Sequence, residues 1–205
     1  MTNEPTTHWD NVYATKDAAE VSWFEESPAL SLELIADAYD GRGGVIDIGS
    51  GASRLAGALV EAGYAPVAVL DLSANALAVA KAKLGTKASA VEWIVADVTE
   101  WQPARRFDVW HDRAAFHFLT EPVQQRAYAQ TLRSALNPGG IAIIGTFAHD
   151  GPERCSGLPV ARHDAVSIAA ILGEGFELVS ERRHEHRTPG GAVQKFQFST
   201  FRRTS

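Results

Sequence analysis

The sequence predicts an α/β layer fold, and three observations carry that reading. Short apolar runs alternate along the chain with Ala/Leu-rich amphipathic stretches. The first complete run, Val45-Ile46-Asp47-Ile48, passes through Gly49-Ser50-Gly51 into an Ala/Leu-rich helix. Three successive runs then close on a carboxylate, at Asp47, Asp71 and Asp97. In such a sheet the strand C-termini border the ligand crevice, so all three acids belong at one edge.

The elements follow in order. Among the first forty residues His8, Trp9, Tyr13, Trp23 and Phe24 are interspersed with acids. A helix over 6–13, a loop, and a helix over 28–39 with proline in its first turn make a cover, 1–40, for the main body, 41–205. Trp9 and Tyr13 suit packing as well as a site; Trp23 and Phe24, beside two acids, point to the site. Residues 52–62 form the first crossover helix, with Leu55, Leu59 and Val60 as its buried stripe. Pro66 to Asp71 is the second strand, Ser73 caps a helix that stops at Gly85, and Val91 to Val95 is the third strand. A fourth strand, 107–111, delivers His111, Asp112 and Arg113 to the crevice. A helix from Glu121-Pro122 runs to Leu136, Asn137-Pro138-Gly139-Gly140 stops it, and 141–147 is a buried fifth strand. A long polar loop with His149 and Cys155, a helix over 164–172, and a hairpin of 176–187 with 193–203 complete the chain. Arg182, Arg183, Arg187, Arg202 and Arg203 read as solvated strand residues.

The glycine turn sets the chemistry. Gly49 and Gly51 allow a tight turn and leave no Cβ between backbone and ligand, so a ligand can lie against amides at a helix N-terminus. Asp71 lies roughly twenty residues further on, where a carboxylate can accept both ribose hydroxyls, although it could also simply cap the next helix. Asp97 can accept from an exocyclic amine such as adenine's, or be a solvated turn residue. Asp47 faces the place a pyrophosphate would occupy, which favours a cationic or zwitterionic group over an anion.

These residues resemble the class I S-adenosylmethionine-dependent methyltransferases, whose first motif is an acid followed by Gly-x-Gly. Asp47-Ile48-Gly49-Ser50-Gly51 matches that motif, Asp71 the ribose-binding acid, and Asp97-Val98 the adenine-contacting pair; Ser53 stands where a third glycine is commonest. The resemblance implies a Rossmann-like, doubly wound seven-stranded sheet of order 3-2-1-4-5-7-6 with an antiparallel last hairpin and an N-terminal helical cover. It implies S-adenosyl-L-methionine as cofactor, held by Asp47, Gly49, Ser50, Gly51, Asp71, Leu72, Asp97, Val98 and His111. Trp110-His111-Asp112-Arg113-Ala114-Ala115 is similar to the matching segment of thiopurine, tellurite and thiol methyltransferases. The candidate catalytic residues are His111, Asp112, Arg113 and His117, and the candidate substrate residues are Trp23, Phe24, Phe116 and Cys155. Each has a structural alternative: Asp112 with Arg113 as an ion pair, His117 as a core histidine, Cys155 as an incidental thiol.

Bulk properties narrow the function. A chain of 205 residues is expected to be one domain, and its 45% hydrophobic and 21% charged residues are those of a globular enzyme. No apolar run reaches membrane-span length, and Met1 to Pro5 lack the basic start of an export signal. A single cysteine excludes an intrachain disulfide, so the expected compartment is the cytoplasm. A net charge of -6 without a lysine/arginine cluster argues against a long nucleic acid as substrate. His8, His149 and Cys155 are not spaced as zinc ligands, and no metal is expected. The expected activity is methyl transfer to a small-molecule acceptor, a thiol or other soft nucleophile among them, by a monomer or homodimer. A protein lysine N-methyltransferase, which the Trp-Asp-x-x-Tyr opening resembles, and a non-catalytic S-adenosylmethionine-binding module are the alternatives.

Overall fold

The computed structural model describes residues 4–15, 20–41 and 43–205. The first three residues, part of the stretch on which the export expectation rests, lie outside the described residues. Helices α1 (Glu4–Thr15) and α2 (Ala29–Ala38) precede β1 (Val45–Ile48), α3 (Leu55–Glu61), β2 (Val67–Asp71), α4 (Ala74–Leu84), β3 (Val91–Val95) and β4 (Phe107–Arg113). There follow α5 (Pro122–Ala135), β5 (Leu136–Phe147), a small hairpin of β6 (Arg154–Cys155) and β7 (Leu158–Pro159), α6 (Ala165–Leu172), β8 (Phe176–Arg187) and β9 (Val193–Arg203). The main sheet has the order β3-β2-β1-β4-β5-β9-β8. Leaving out the small hairpin, that is the predicted 3-2-1-4-5-7-6. β1 to β5 are parallel, and β9 lies antiparallel between β5 and β8.

Strand periodicity sorts the side chains into two cores. On one face Val45, Val69, Val109 and Ile143 pack with Ile35 of α2 and Leu55 and Leu59 of α3. On the other, Ile46, Leu70, Trp110 and Ile144 pack with Tyr128 and Leu132 of α5 and Ile168 and Leu172 of α6. Because helices cover both faces, β1 and β2 are buried along their whole length, which is why they read as unbroken apolar runs.

The helix signals act where expected. Ser73 caps α4 by accepting from the Ala76 amide, and Gly85 ends the helix at φ 60°. Asp164 and Ser167 cap α6 reciprocally, as Glu121 and Gln124 cap α5. Three local expectations change. Helix α3 starts at Leu55 instead of residue 52, because the Ser53 hydroxyl accepts the Leu55 amide and holds the preceding residues in a turn. The Asn137–Gly140 turn is absorbed into β5, with a register irregularity opposite Phe107 to Val109 and Gly139 at φ +79°. Arg203 is buried and donates to the Arg133 carbonyl at 2.5 Å, so it is not a solvated residue.

The cover is tied to the body through the same cap. Ser73 Oγ donates to Asp10 Oδ1 of α1 at 2.6 Å while accepting from the Ala76 amide at 3.1 Å. Ser73→Ala removes both bonds from a fully buried position and is expected to cost about 1–2 kcal/mol. Urea denaturation checks this, and an unshifted midpoint would show that the cap carries no stability.

Candidate functional site

The C-terminal ends of β1, β2 and β4 open onto a two-lobed cavity. Gly49, Tyr13, Trp23 and Arg113 line both lobes. One lobe also contacts Phe24, Glu25, Ser31, Asp47, Ser50, Arg54 and His111; the other contacts Trp9, Asp71, Leu72, Asp97, Val98, Phe118, Gln124 and Cys155. Gly49 stands at φ +62° where the lobes meet, and a Cβ there would collide with Ala115. Gly51, at φ +57°, is the seat of the Tyr13 hydroxyl, which a Cβ would strike. The two glycines thus have different tasks. One leaves room for Ala115 after β4, and the other leaves room for the cover.

The three acids converge as expected, each in its own setting. Asp71 is buried; its Oδ2 accepts the Gly51 amide at 2.7 Å and its Oδ1 the Ser73 amide at 2.8 Å. Burial pushes its carboxyl up to about 6, against the lowering pull of the two amides. Asp97 is fixed by Thr99, whose amide and hydroxyl donate to Oδ1 at 2.8 and 2.7 Å. Asp47 is paired with His111, Nδ1 to Oδ1 at 2.7 Å, both side chains almost completely buried.

Strand alternation separates the cluster 111–113. His111 and Arg113 share a face with Asp47, whereas Asp112 turns toward α5. There Asp112 accepts from the Ala115 amide at 2.9 Å, the Phe116 amide, and the Tyr128 hydroxyl at 2.8 Å. Its carboxyl is pushed up to about 6 by burial, and it lines neither lobe. It is the buckle of the β4–α5 connection. Arg113 does not pair with Asp112 either. It donates through Nη1 to the Trp23 carbonyl at 3.0 Å, lies 2.9 Å from Glu25 Oε1, and sits over the Phe196 ring. Segment 21–26 is therefore strapped across the cavity by a buried cation.

The other predicted residues divide. Trp23, Phe24, Ser50, Leu72, Val98 and Cys155 line the cavity. Phe116 and His117 are fully buried and line neither lobe; burial drives the His117 imidazole down to about 3. Both belong to aromatic packing, Phe116 on Tyr128 and His163, His117 on Phe118 and Phe147. His149 is exposed, 3.5 Å from Asp164. Cys155 lies in the β6–β7 hairpin instead of an open loop, and burial raises its thiol to about 11, so it stays protonated. Tyr13, weighed between packing and the site, lines both lobes, and Ser31, Arg54 and Gln124 line the cavity without having been singled out. The capping box of α5 was the available signal for Gln124, since it fixes that side chain at the helix entrance. Among the described residues no group of three or more His, Cys, Asp or Glu could hold a metal ion, and no helix is long and apolar enough to cross a membrane.

Gly51→Ala is expected to destabilise by about 1–3 kcal/mol, through the positive φ and the Tyr13 contact. The double variant with Tyr13→Phe should lose less than the sum of the single changes, because the colliding oxygen is gone. Strict additivity in thermal denaturation would mean that α1 does not press on the turn.

Residues 45–140 match the family model of a methyltransferase domain. No curated protein sequence matches the chain. Among solved structures, that of a protein converting a disulfide bond into a thioacetal group during echinomycin biosynthesis shares 24% identity, over 98% of this chain and 92% of its own, at a TM-score of 0.77. The N-methyltransferase NodS of Bradyrhizobium japonicum WM9, in complex with S-adenosyl-L-homocysteine, shares 18% identity over 99% and 100%, at 0.71. The 1,6-didemethyltoxoflavin-N1-methyltransferase of Burkholderia thailandensis, with 1,6-didemethyltoxoflavin and S-adenosylhomocysteine bound, shares 22% identity over 98% and 84%, at 0.69. At these identities the structural likeness establishes the fold, and the matched family model supplies the domain. Residues 45–140 therefore resemble a methyltransferase domain, and nearly the whole chain adopts the Rossmann-like methyltransferase fold of these structures.

Proposed function

We propose that this protein transfers a methyl group from S-adenosylmethionine to a small-molecule acceptor. The observation that carries the reading is the convergence of Asp47, Asp71 and Asp97 on a cavity pinched at Gly49. Three acids at the ends of successive strands suit a cationic nucleoside better than a phosphate. The fit to the group is specific: the buried Asp71 faces a lobe that can take a ribose diol, Asp97 and Val98 can meet an adenine amine, and Leu72 offers it an apolar face. His111 Nε2 is buried without a hydrogen-bond partner, as a lobe awaiting a polar ligand group would leave it.

When bound, S-adenosylmethionine supplies a methyl group on a sulfonium, open to in-line displacement. The chain's task is then to align the acceptor and exclude water. Trp9, Trp23 and Phe118, in edge-to-face contact, supply an apolar wall, and Arg113 positions the strap that carries Trp23. The neutral Cys155 thiol is part of that wall and not a nucleophile. Closure by the cover favours a small acceptor over a side chain of a folded protein. The relatives named as N-methyltransferases make ring nitrogens and amines, beside thiols, the acceptors to try.

Incubation with methyl-labelled S-adenosylmethionine and a panel of thiols, N-heterocycles, amines and proteins tests the reading. Label on a small molecule supports it; label on protein alone favours the lysine-directed alternative, and binding without transfer a cofactor-sensing module. Asp71 gives a second expectation. The ionised carboxylate is the stronger acceptor for ribose hydroxyls, so binding lowers a pKa that stands at about 6 in the free site. Affinity for S-adenosylhomocysteine should be full above that pH and fall by up to about tenfold per pH unit below it. Asp71→Asn should weaken binding by about 1.5–3 kcal/mol and abolish this pH dependence in calorimetric titration. A variant as tight as the wild type would remove Asp71 from the site.

A further inference from the structure

Within that reading of the cofactor, on which this inference rests, we infer that His186, outside the cavity, is a positioning residue: it latches segment 22–26 as a gate between the cavity and an outer groove. The segment forms neither helix nor strand. Three of its carbonyls are held by basic side chains from three separate places in the chain. The Ser22 carbonyl accepts from His186 Nε2 of β8 at 2.8 Å, the Trp23 carbonyl from Arg113 Nη1 of β4 at 3.0 Å, and the Glu26 carbonyl from Arg54 Nη1, just ahead of α3, at 3.0 Å. A side chain can release a carbonyl by a change of rotamer, so the segment can lift without unfolding a helix or a strand. Phe24 and Glu25 line the lobe that contains Asp47, and they also line an open groove on the outside, between 24–27 and 186–189. They are the wall between the two. Helix α1 is fastened elsewhere, by Asp10 to Ser73 and by Tyr13 on Gly51, so this wall can open while α1 stays docked.

His186 differs from the other two latches. Arg54 and Arg113 line the cavity, whereas His186 lines neither lobe and belongs to the outer groove. It is the one buried residue of β8, an edge strand exposed along most of its length. Its ring meets Phe196 edge-on with centroids 6.3 Å apart, and the Arg113 guanidinium lies over the same Phe196 ring at 5.1 Å. Glu25 Oε1 lies 2.9 Å from Arg113 Nη2 and 3.8 Å from His186 Nδ1. Two latches thus hold adjacent carbonyls, rest on one ring and face one carboxylate. A carbonyl only accepts, so Nε2 carries a proton in either charge state of the imidazole, and the latch does not depend on which state is present. Through it the last hairpin acts on the cavity wall without touching the cavity's contents.

A gate and a binding wall differ in kinetics. Weakening a latch raises the open fraction with and without ligand, so association and dissociation quicken together and affinity holds. Losing a ligand contact quickens dissociation alone. His186→Phe keeps a ring on Phe196 and deletes the donor, while His186→Gln keeps a donor. Stopped-flow fluorescence with S-adenosylhomocysteine should show both rate constants raised about three- to tenfold in His186→Phe, Kd within about twofold, and wild-type rates restored in His186→Gln. Unchanged rates, an affinity loss carried by dissociation alone, or a Gln variant as fast as the Phe variant would overturn the inference. Any of these in a protein that binds the ligand leaves the cofactor reading standing; a wild type without affinity for it ends both. A measurement without substitution covers a variant that does not fold. In the free wild type, 15N relaxation dispersion should reveal millisecond exchange at the Trp23 and Glu25 amides and none at Trp9 of α1. A flat profile at Trp23, or exchange shared with α1 at one rate, would overturn the gate.

Discussion

The structure hangs on the Asp71 carboxylate taking the amides of Gly51 and Ser73. Through these bonds the end of the second strand holds the glycine turn after the first and starts the helix that follows. Ser73 passes the connection to Asp10 on α1, and Tyr13 of the same helix lies on Gly51. The turn, Asp71 and the cover thus form a closed circuit of hydrogen bonds and contacts. Charge burial is tolerable there because backbone amides, which cannot be lost to a rotamer change, compensate it. The raised pKa of Asp71 is what remains of the desolvation cost.

A second constraint is strand parity. Three adjacent polar residues, His111, Asp112 and Arg113, leave β4 with three different duties because alternate side chains face opposite layers. His111 turns to Asp47, Asp112 to the α5 entrance, and Arg113 to the strap. The result is a site whose chemistry lies on the face covered by the N-terminal segment, while the opposite face fixes the connection after β4. Asp112 therefore contributes to the site by holding Ala114 and Ala115 in place, and Ala115 is the neighbour that limits Gly49.

The cover is held by apolar packing of Leu34 and Ile35 in the core and by polar contacts at several points. Besides Ser73 and Asp10, Arg113 holds the Trp23 carbonyl and Glu25, and His186 of β8 meets the Ser22 carbonyl at 2.8 Å. Aromatic edges from Trp9, Tyr13, Trp23 and Phe118 fill the space beneath. Such an arrangement encloses the cavity while leaving its lining apolar on the side away from the acids.

Local sequence determined the elements and the acids at the strand ends. Periodicity, caps and glycines act over a few residues, so the strands, the Ser73 and Asp164 caps and the final hairpin were legible, as were Asp47, Asp71 and Asp97 at strand ends. The order of the sheet was not local and came from likeness to a known family. Tertiary structure alone decided which side chains share a face and which are buried. His117 and Phe116 sit on an apolar stretch that could have lined the crevice, yet a short 3-10 turn, Phe116–Phe118, turns them into the core. Arg113 found Glu25 and Trp23, eighty-eight and ninety positions away in sequence, instead of the adjacent Asp112. Asp47 found His111 across a strand pair 64 residues apart. Pairings of that kind are fixed by register between distant strands and by the closing of the cover, and no spacing within a single segment encodes them.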